Sequence, residues 1–190
     1  MELQQELAQG HIIRTLMEEN QATREHIARL RQLNSVLQGM DEEDEKTFEL
    51  NSLEAVAANL LEVKLHHQRE EQVLFPEMEK RGISAPLVTM RMEHLELQVL
   101  EHAFEALSHA RIMDYSLLQS QVKQLVDSLL YDLEKHIFKE DYLLYPHALE
   151  VILAEEVWAR MKDDCEAIGN CRFQELPRRR TQKAQLISAL

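Results

Sequence analysis

The sequence predicts an all-α protein: an antiparallel up-down four-helix bundle with a short fifth C-terminal helix. Three observations carry that expectation. Four glycines and four prolines in 190 residues leave little material for turns, so the elements must be few and long. Stretches rich in Leu, Glu, Gln, Lys and Ala favour helix, and β-branched runs are absent. Apolar residues recur at helical spacing in four long segments separated by short breaks. A chain of this length can bury one real core, so residues 1–167 are expected to form one domain and 168–190 a flexible tail.

The first long helix, over residues 3–38, sets Ile13, Leu16, Ile27, Leu30 and Leu37 on one stripe. The acidic stretch QGMDEEDEK, residues 38–46 with Gly39, breaks it. A second helix follows over 47–80, bending or ending near Pro76 and stopping at Gly82. The SAP of residues 84–86 reads as a helix start, with Ser84 as cap and Pro86 in the first turn. That third helix continues to about residue 110, and Asp114 caps a fourth that ends near Pro146. A fifth helix, 147–167, carries Trp158 and is expected to pack across one end of the bundle. From Gly169 onward a loop and a frayed tail are expected.

A formal net charge of −13 argues against nucleic acid as the main partner, because a phosphate backbone demands a basic face. The one basic cluster, Arg178-Arg179-Arg180, falls in the tail and reads as solvated. No apolar run approaches the ~20 residues of a membrane span. MELQQELAQG has neither the basic start nor the apolar stretch of a signal peptide. Cys165 and Cys171 are too few for a disulfide scaffold and lack metal-finger spacing. They read as ordinary thiols of a cytoplasmic protein.

Two stretches carry the chemistry. HHQREEQVLFP (66–76) and HIFKEDYLLYP (136–146) both read H-x-x-x-E-(E/D)-x-x-L-(F/Y)-P when aligned on Pro76 and Pro146. A four-residue step places His136 and Glu140 on adjacent turns of one helix face, within the stripe of Val122, Leu125, Leu129, Leu133, Leu143 and Leu144. A buried carboxylate is costly unless paired or bound to a metal. His66 and Glu70 repeat the pair, and His94 shares a face with Met90, Leu97 and Phe104. Three inward histidines and two inward carboxylates form a nitrogen and oxygen set that suits iron, manganese or zinc. The apolar wheel instead centres His67, whose step to Glu71 is also four residues. The internal echo favours His66 with Glu70, leaving His67 beside the site or supporting a ligand.

LHHQREEQVLFPEMEKRGI, MRMEHLEL and LEKHIFKEDYLLYPHALEVI resemble the hemerythrin-like, or HHE cation-binding, family over roughly residues 11–160. The resemblance implies a four-helix bundle around a non-haem di-iron centre. Carried onto this sequence, His66, His94 and His136 would be iron ligands, with Glu70 and Glu140 as bridging carboxylates. The first helix departs from the pattern: LMEEN places Asn20 where the family has histidine, as MEEN parallels the RMEH ending at His94. Asn20 lies centrally in its stripe and can coordinate weakly through its carbonyl oxygen. His26, the nearest spare imidazole, falls roughly 90° off that stripe. Gln98 replaces a second histidine after His94, which departs from the five-histidine set of invertebrate oxygen carriers. Glu101 shares a face with His94 and could add an oxygen, but reads better as solvated or helix-pairing. His11, His102, His109 and His147 read as surface or boundary residues.

The function expected is that of a di-iron protein that senses or handles O2, NO or peroxide, or stores labile iron. The alternative is a helical interaction module whose metal site is vestigial or structural. A ferritin-like carboxylate enzyme is disfavoured, since no histidine here has a glutamate three residues before it. A zinc hydrolase is disfavoured for want of H-E-x-x-H.

Overall fold

The computed structural model describes residues 2–42, 44, 46–110 and 114–178, and every regular element among them is helical. A short α1 (Glu2–Glu6) precedes α2 (Ile12–Gln38). Helix α3 (Thr47–Arg69) runs through a π-helical turn, Glu70–Leu74, into α4 (Phe75–Glu79). After α5 (Ala85–Ser108), α6 (Tyr115–Lys139) runs through a second π turn, Glu140–Leu144, into α7 (Tyr145–Val151). Helix α8 (Glu155–Ile168) follows.

Helix α2 packs on α3 and α6, and α5 also packs on α3 and α6, which closes a ring of four. Along one side of the ring Asn20 and Arg24 meet Asp141, Arg31 meets Glu134, and Gln38 meets Gln119, so α2 and α6 run in opposite directions. Two apolar cores fill the ring. One gathers Ile27, Leu30, Leu53, Leu60, Phe104, Val126 and Leu133; the other gathers Ile13, Leu16, Leu74, Phe75, Leu87, Met90 and Tyr145. Between them every helix of the ring contributes buried polar residues: Glu19, Asn20 and Thr23 from α2, His66 and His67 from α3, His94 from α5 and His136 from α6. This polar layer is held in register by the apolar packing on both sides.

The π turns explain the prolines. In each, the amide before the proline reaches back five residues, Phe75 to the Glu70 carbonyl and Tyr145 to the Glu140 carbonyl. The next donor would belong to Pro76 or Pro146, which has none, so the helix widens there with little loss. Widening also shifts the facing residues. Leu143, expected in the stripe, is 61% exposed, while Leu144 and Tyr145 turn inward.

Other expectations need correction. The first helix is broken over residues 7–11, where Gly10 takes a positive φ of 81° that favours glycine, and His11 caps α2 by accepting from the Ile13 amide. Ser84 precedes α5 but makes no capping bond with its side chain, whereas Asp114 caps α6 through the Leu117 amide. The expected fifth helix is split at Ile152, and Trp158 of α8 donates to that carbonyl while its ring meets His11. Residues 171–176 are not free: the Cys171 amide donates to Glu19, Gln174 bonds Asn59 in both directions, and Leu176 packs on the first core. Arg178 is exposed, and the remainder of the expected tail, with Arg179 and Arg180, lies outside the described residues.

Glu77 fastens α4 to α8. Its carboxylate is 6% exposed and accepts from Lys80, Arg81 and Arg160. The Lys80 bond leads, burial opposes it, and the two arginine bonds help bring the carboxyl down to about 2. A lowered folded-state value means the contribution is present above the ordinary 4.5 and is lost as pH falls through about 2. Glu77→Gln is expected to cost about 1 kcal/mol at pH 7. In urea titrations the variant and parent should converge toward pH 2, and equal midpoints at pH 7 would remove the clamp.

Candidate metal centre

Consecutive residues on a helix are turned by about 100°, so His66 and His67 cannot face the same point. Both are buried, and they enter the polar layer on two sides. His66 groups with Glu70 and Glu140; His67 groups with His94, His136 and Glu140, with one donor atom per residue and all donors of a group within 4.8 Å. Glu140 belongs to both groups. Its Oε2 lies 3.7 Å from His66 Nε2 and its Oε1 2.8 Å from His136 Nε2. Glu70 also spans them, with Oε1 3.8 Å from His66 Nε2 and Oε2 3.2 Å from His94 Nε2. The structure brings His66 and His67 to the layer together, with Glu70 but not Glu71 among the grouped donors.

Each of three imidazoles is oriented from behind. Nδ1 of His66 faces Glu19 at 3.0 Å, that of His94 faces Glu71 at 2.6 Å, and that of His136 faces Glu93 at 3.0 Å. A carboxylate on Nδ1 fixes the ring and leaves Nε2 as the inward donor, the usual support of a metal-binding histidine. Two of these glutamates also meet cations: Arg69, itself bonded to Asn170, pairs with Glu19, and Lys139 pairs with Glu93. The internal echo therefore extends well past the motif. Glu19 and Arg69 serve His66 as Glu93 and Lys139 serve His136, and Asn20 meets Asp141 as His94 meets Glu71.

The cluster attracts positive charge. Burial alone would lower His66, but Glu140, Glu19 and Glu70 raise it to about 10. His94 is likewise raised to about 9, against burial, by Glu70 and Glu71. His67 goes the other way: burial, then the neighbouring His94 and His136, push it well below its ordinary value, leaving a neutral ring. Its stacking on His94, centroids 4.0 Å apart, fits that neutrality. Nε2 of His94 and of His136, Oε2 of Glu70 and both oxygens of Glu140 are buried and face one another across 2.8 to 3.7 Å as ion pairs without hydrogen-bond geometry. Five such atoms are expensive to leave without hydrogen bonds, and cations among them would satisfy the set.

Of the other candidates, Asn20, His26, Glu71 and Glu101 join neither group. Asn20 is buried, but its amide donates to Asp141 Oδ1 at 2.9 Å. His26 lies against Phe173 in a groove between α2 and the C-terminal segment, and joins neither group. That groove encloses about 930 Å³ and contains none of the grouped donors. Glu71 supports His94 from outside. Glu101 is buried rather than solvated, and burial raises its carboxyl to about 8. It lines a cavity of about 220 Å³ with His67, His94 and Glu71, which opens beside the second group.

Sequence reasoning missed Tyr145. Its ring is fully buried, and its hydroxyl donates to Glu70 Oε1 at 2.9 Å and lies 3.1 Å from His66 Nε2. The aligned motifs held a signal, the F/Y position before each proline. Glu19, Glu93, Arg69 and Lys139 were also missed, although each occupies a matched position in the two halves.

A family model described as the hemerythrin HHE cation binding domain matches residues 11–148, well over half of the chain. The chain belongs to this family. Membership in the hemerythrin HHE family implies cation binding, typically of iron, and the His/Glu cluster here supplies donors that fit. None of the curated proteins compared matches the chain. Among the described residues no helix is long and apolar enough to cross a membrane.

Proposed function

We propose that this hemerythrin HHE protein holds two iron ions side by side in the polar layer of an antiparallel up-down bundle, and uses them to sense or handle O2, NO or peroxide. One observation carries the reading: Glu70 and Glu140 each direct one oxygen toward each histidine group, as carboxylates bridging two ions must. His66 would serve one ion, and His67, His94 and His136 the other. Iron bound by such donors supplies open coordination positions and electrons for a small oxidant or a diatomic ligand. The chain's own residues set the conditions. Glu19, Glu71 and Glu93 hold the imidazoles in the required tautomer, the two apolar cores exclude water from above and below, and the cavity beside Glu101 offers a route for a small polar ligand.

The test is elemental analysis of protein purified without oxygen, followed by spectra on exposure to O2 and to NO. Two irons per chain with spectral change support the proposal; a stable, metal-free, colourless chain counts against it. Substitutions refine the assignment. His66→Ala and His67→Ala are each expected to remove about one ion per chain, with affinity at the damaged site falling at least 10–100-fold. His109→Ala is expected to retain both, because His109 is exposed and pairs with Glu54 and Glu105 instead. Full occupancy in His67→Ala would return that residue to a supporting role.

A further inference from the structure

We propose that Tyr145 is itself a metal donor, its Oη binding the ion held by His66, Glu70 and Glu140. The inference rests on the iron-binding reading above and extends it to a residue outside both H-x-x-x-E motifs.

The two groups are unequal. The second has three imidazoles and the first has one. The internal echo locates the deficit: α5 sends His94 into the layer, but at the matching position of α2 Asn20 turns its amide to Asp141. Tyr145 Oη stands on the nitrogen-poor side, 3.1 Å from His66 Nε2 and 2.9 Å from Glu70 Oε1. Two donors about 2.1 Å from one ion and at right angles to each other are about 3 Å apart, so these separations suit three ligands of a common ion. The counterpart in the first motif is Phe75, whose ring lies 5.9 Å from that of His94 and offers no donor. The hydroxyl is therefore present only where a histidine is missing.

On binding, the phenol O–H bond breaks, an O–metal bond forms, and the proton leaves to solvent. No electrons are transferred in that step, and the charge of the ion drives it. A hard, anionic oxygen favours trivalent iron over softer or less charged ions.

The full chain is loaded with iron(II) under anaerobic conditions and oxidised in air, and metal content, visible absorption and resonance Raman spectra are recorded. Two irons with a visible phenolate-to-iron(III) charge-transfer band and resonance-enhanced tyrosine ring vibrations support the proposal. Tyr145→Phe is expected to lose the band and weaken one of the two ions at least tenfold, while Tyr131→Phe, altering an exposed ring, leaves both unchanged. The Raman signature is read in the parent chain, so the test stands even if the variant folds poorly. Iron bound without tyrosine vibrations, or an undiminished band in Tyr145→Phe, overturns this proposal and leaves the iron-binding reading intact. A parent chain that binds no iron overturns both.

Discussion

Replacing Glu140 by alanine is expected to empty both of the proposed metal positions, a larger effect than removing any one histidine. Glu140 is the residue common to the two donor groups, buried at 1% exposure, with one oxygen toward His66 and the other toward His136. Without it the first group keeps only His66 and Glu70, and the second keeps its three imidazoles with Glu70 as the one spanning carboxylate left. Loss of a ligand lowers affinity more than loss of the residue behind it, which already costs 10–100-fold. The variant should therefore show less than about a tenth of the parent's metal by elemental analysis. Helical circular dichroism should be retained, because the cores above and below the layer are untouched. Retention of one full equivalent of metal would show that the groups are independent and that Glu140 does not bridge.

The second large effect concerns stability. Arg69 is 2% exposed, and its guanidinium pairs with Glu19 and also bonds Asn170 and the Leu65 carbonyl. Glu19 is buried as well; burial opposes its charge, but His66 and Arg69 bring its carboxyl down to about 2. Arg69→Met would leave that buried carboxylate without its guanidinium partner, facing only His66 and the Cys171 amide. Breaking a buried pair from one side costs about 3–5 kcal/mol, and we expect a loss of that order in urea unfolding at pH 7. The double variant Arg69→Met, Glu19→Gln should recover part of it, because the uncompensated charge is then gone. A cost below about 1 kcal/mol would mean that water reaches Glu19 in place of the guanidinium.

This ion pair also shows how far the site could be read from the chain. His66, Glu70, His94, His136 and Glu140 were recognisable because two aligned motifs repeat a spacing that puts polar groups on an apolar stripe. Their supports were less visible. Glu19 lies next to Asn20, the residue at the centre of the apolar stripe, yet it is Glu19 that touches His66 while Asn20 turns to Asp141. A helix wheel separates neighbours by angle but does not say which of two inward-leaning side chains reaches which partner on another helix. The same limit applies to His66 and His67: a wheel with one facing direction has room for one histidine, whereas α3 packs on both α2 and α5.

The sequence by itself determined the helical class, the order and approximate bounds of the long helices, and the repeated spacing of histidine and glutamate before Pro76 and Pro146. Those follow from local rules: helix propensity, apolar periodicity, and the punctuation supplied by glycine, proline and Asp114. Only the tertiary structure decided that His66 and His67 serve different groups, that Glu70 and Glu140 span them, and that Tyr145 enters the site. It also decided that Cys171 and its neighbours are fastened to Glu19, Glu62 and Asn59. The physical reason is that these facts depend on two quantities no periodicity contains. One is the extra winding of the π turns before Pro76 and Pro146, which brings Tyr145 inward and turns Leu143 out. The other is the docking of helices distant in sequence, which alone sets the distance between a carboxylate on one and an imidazole on another.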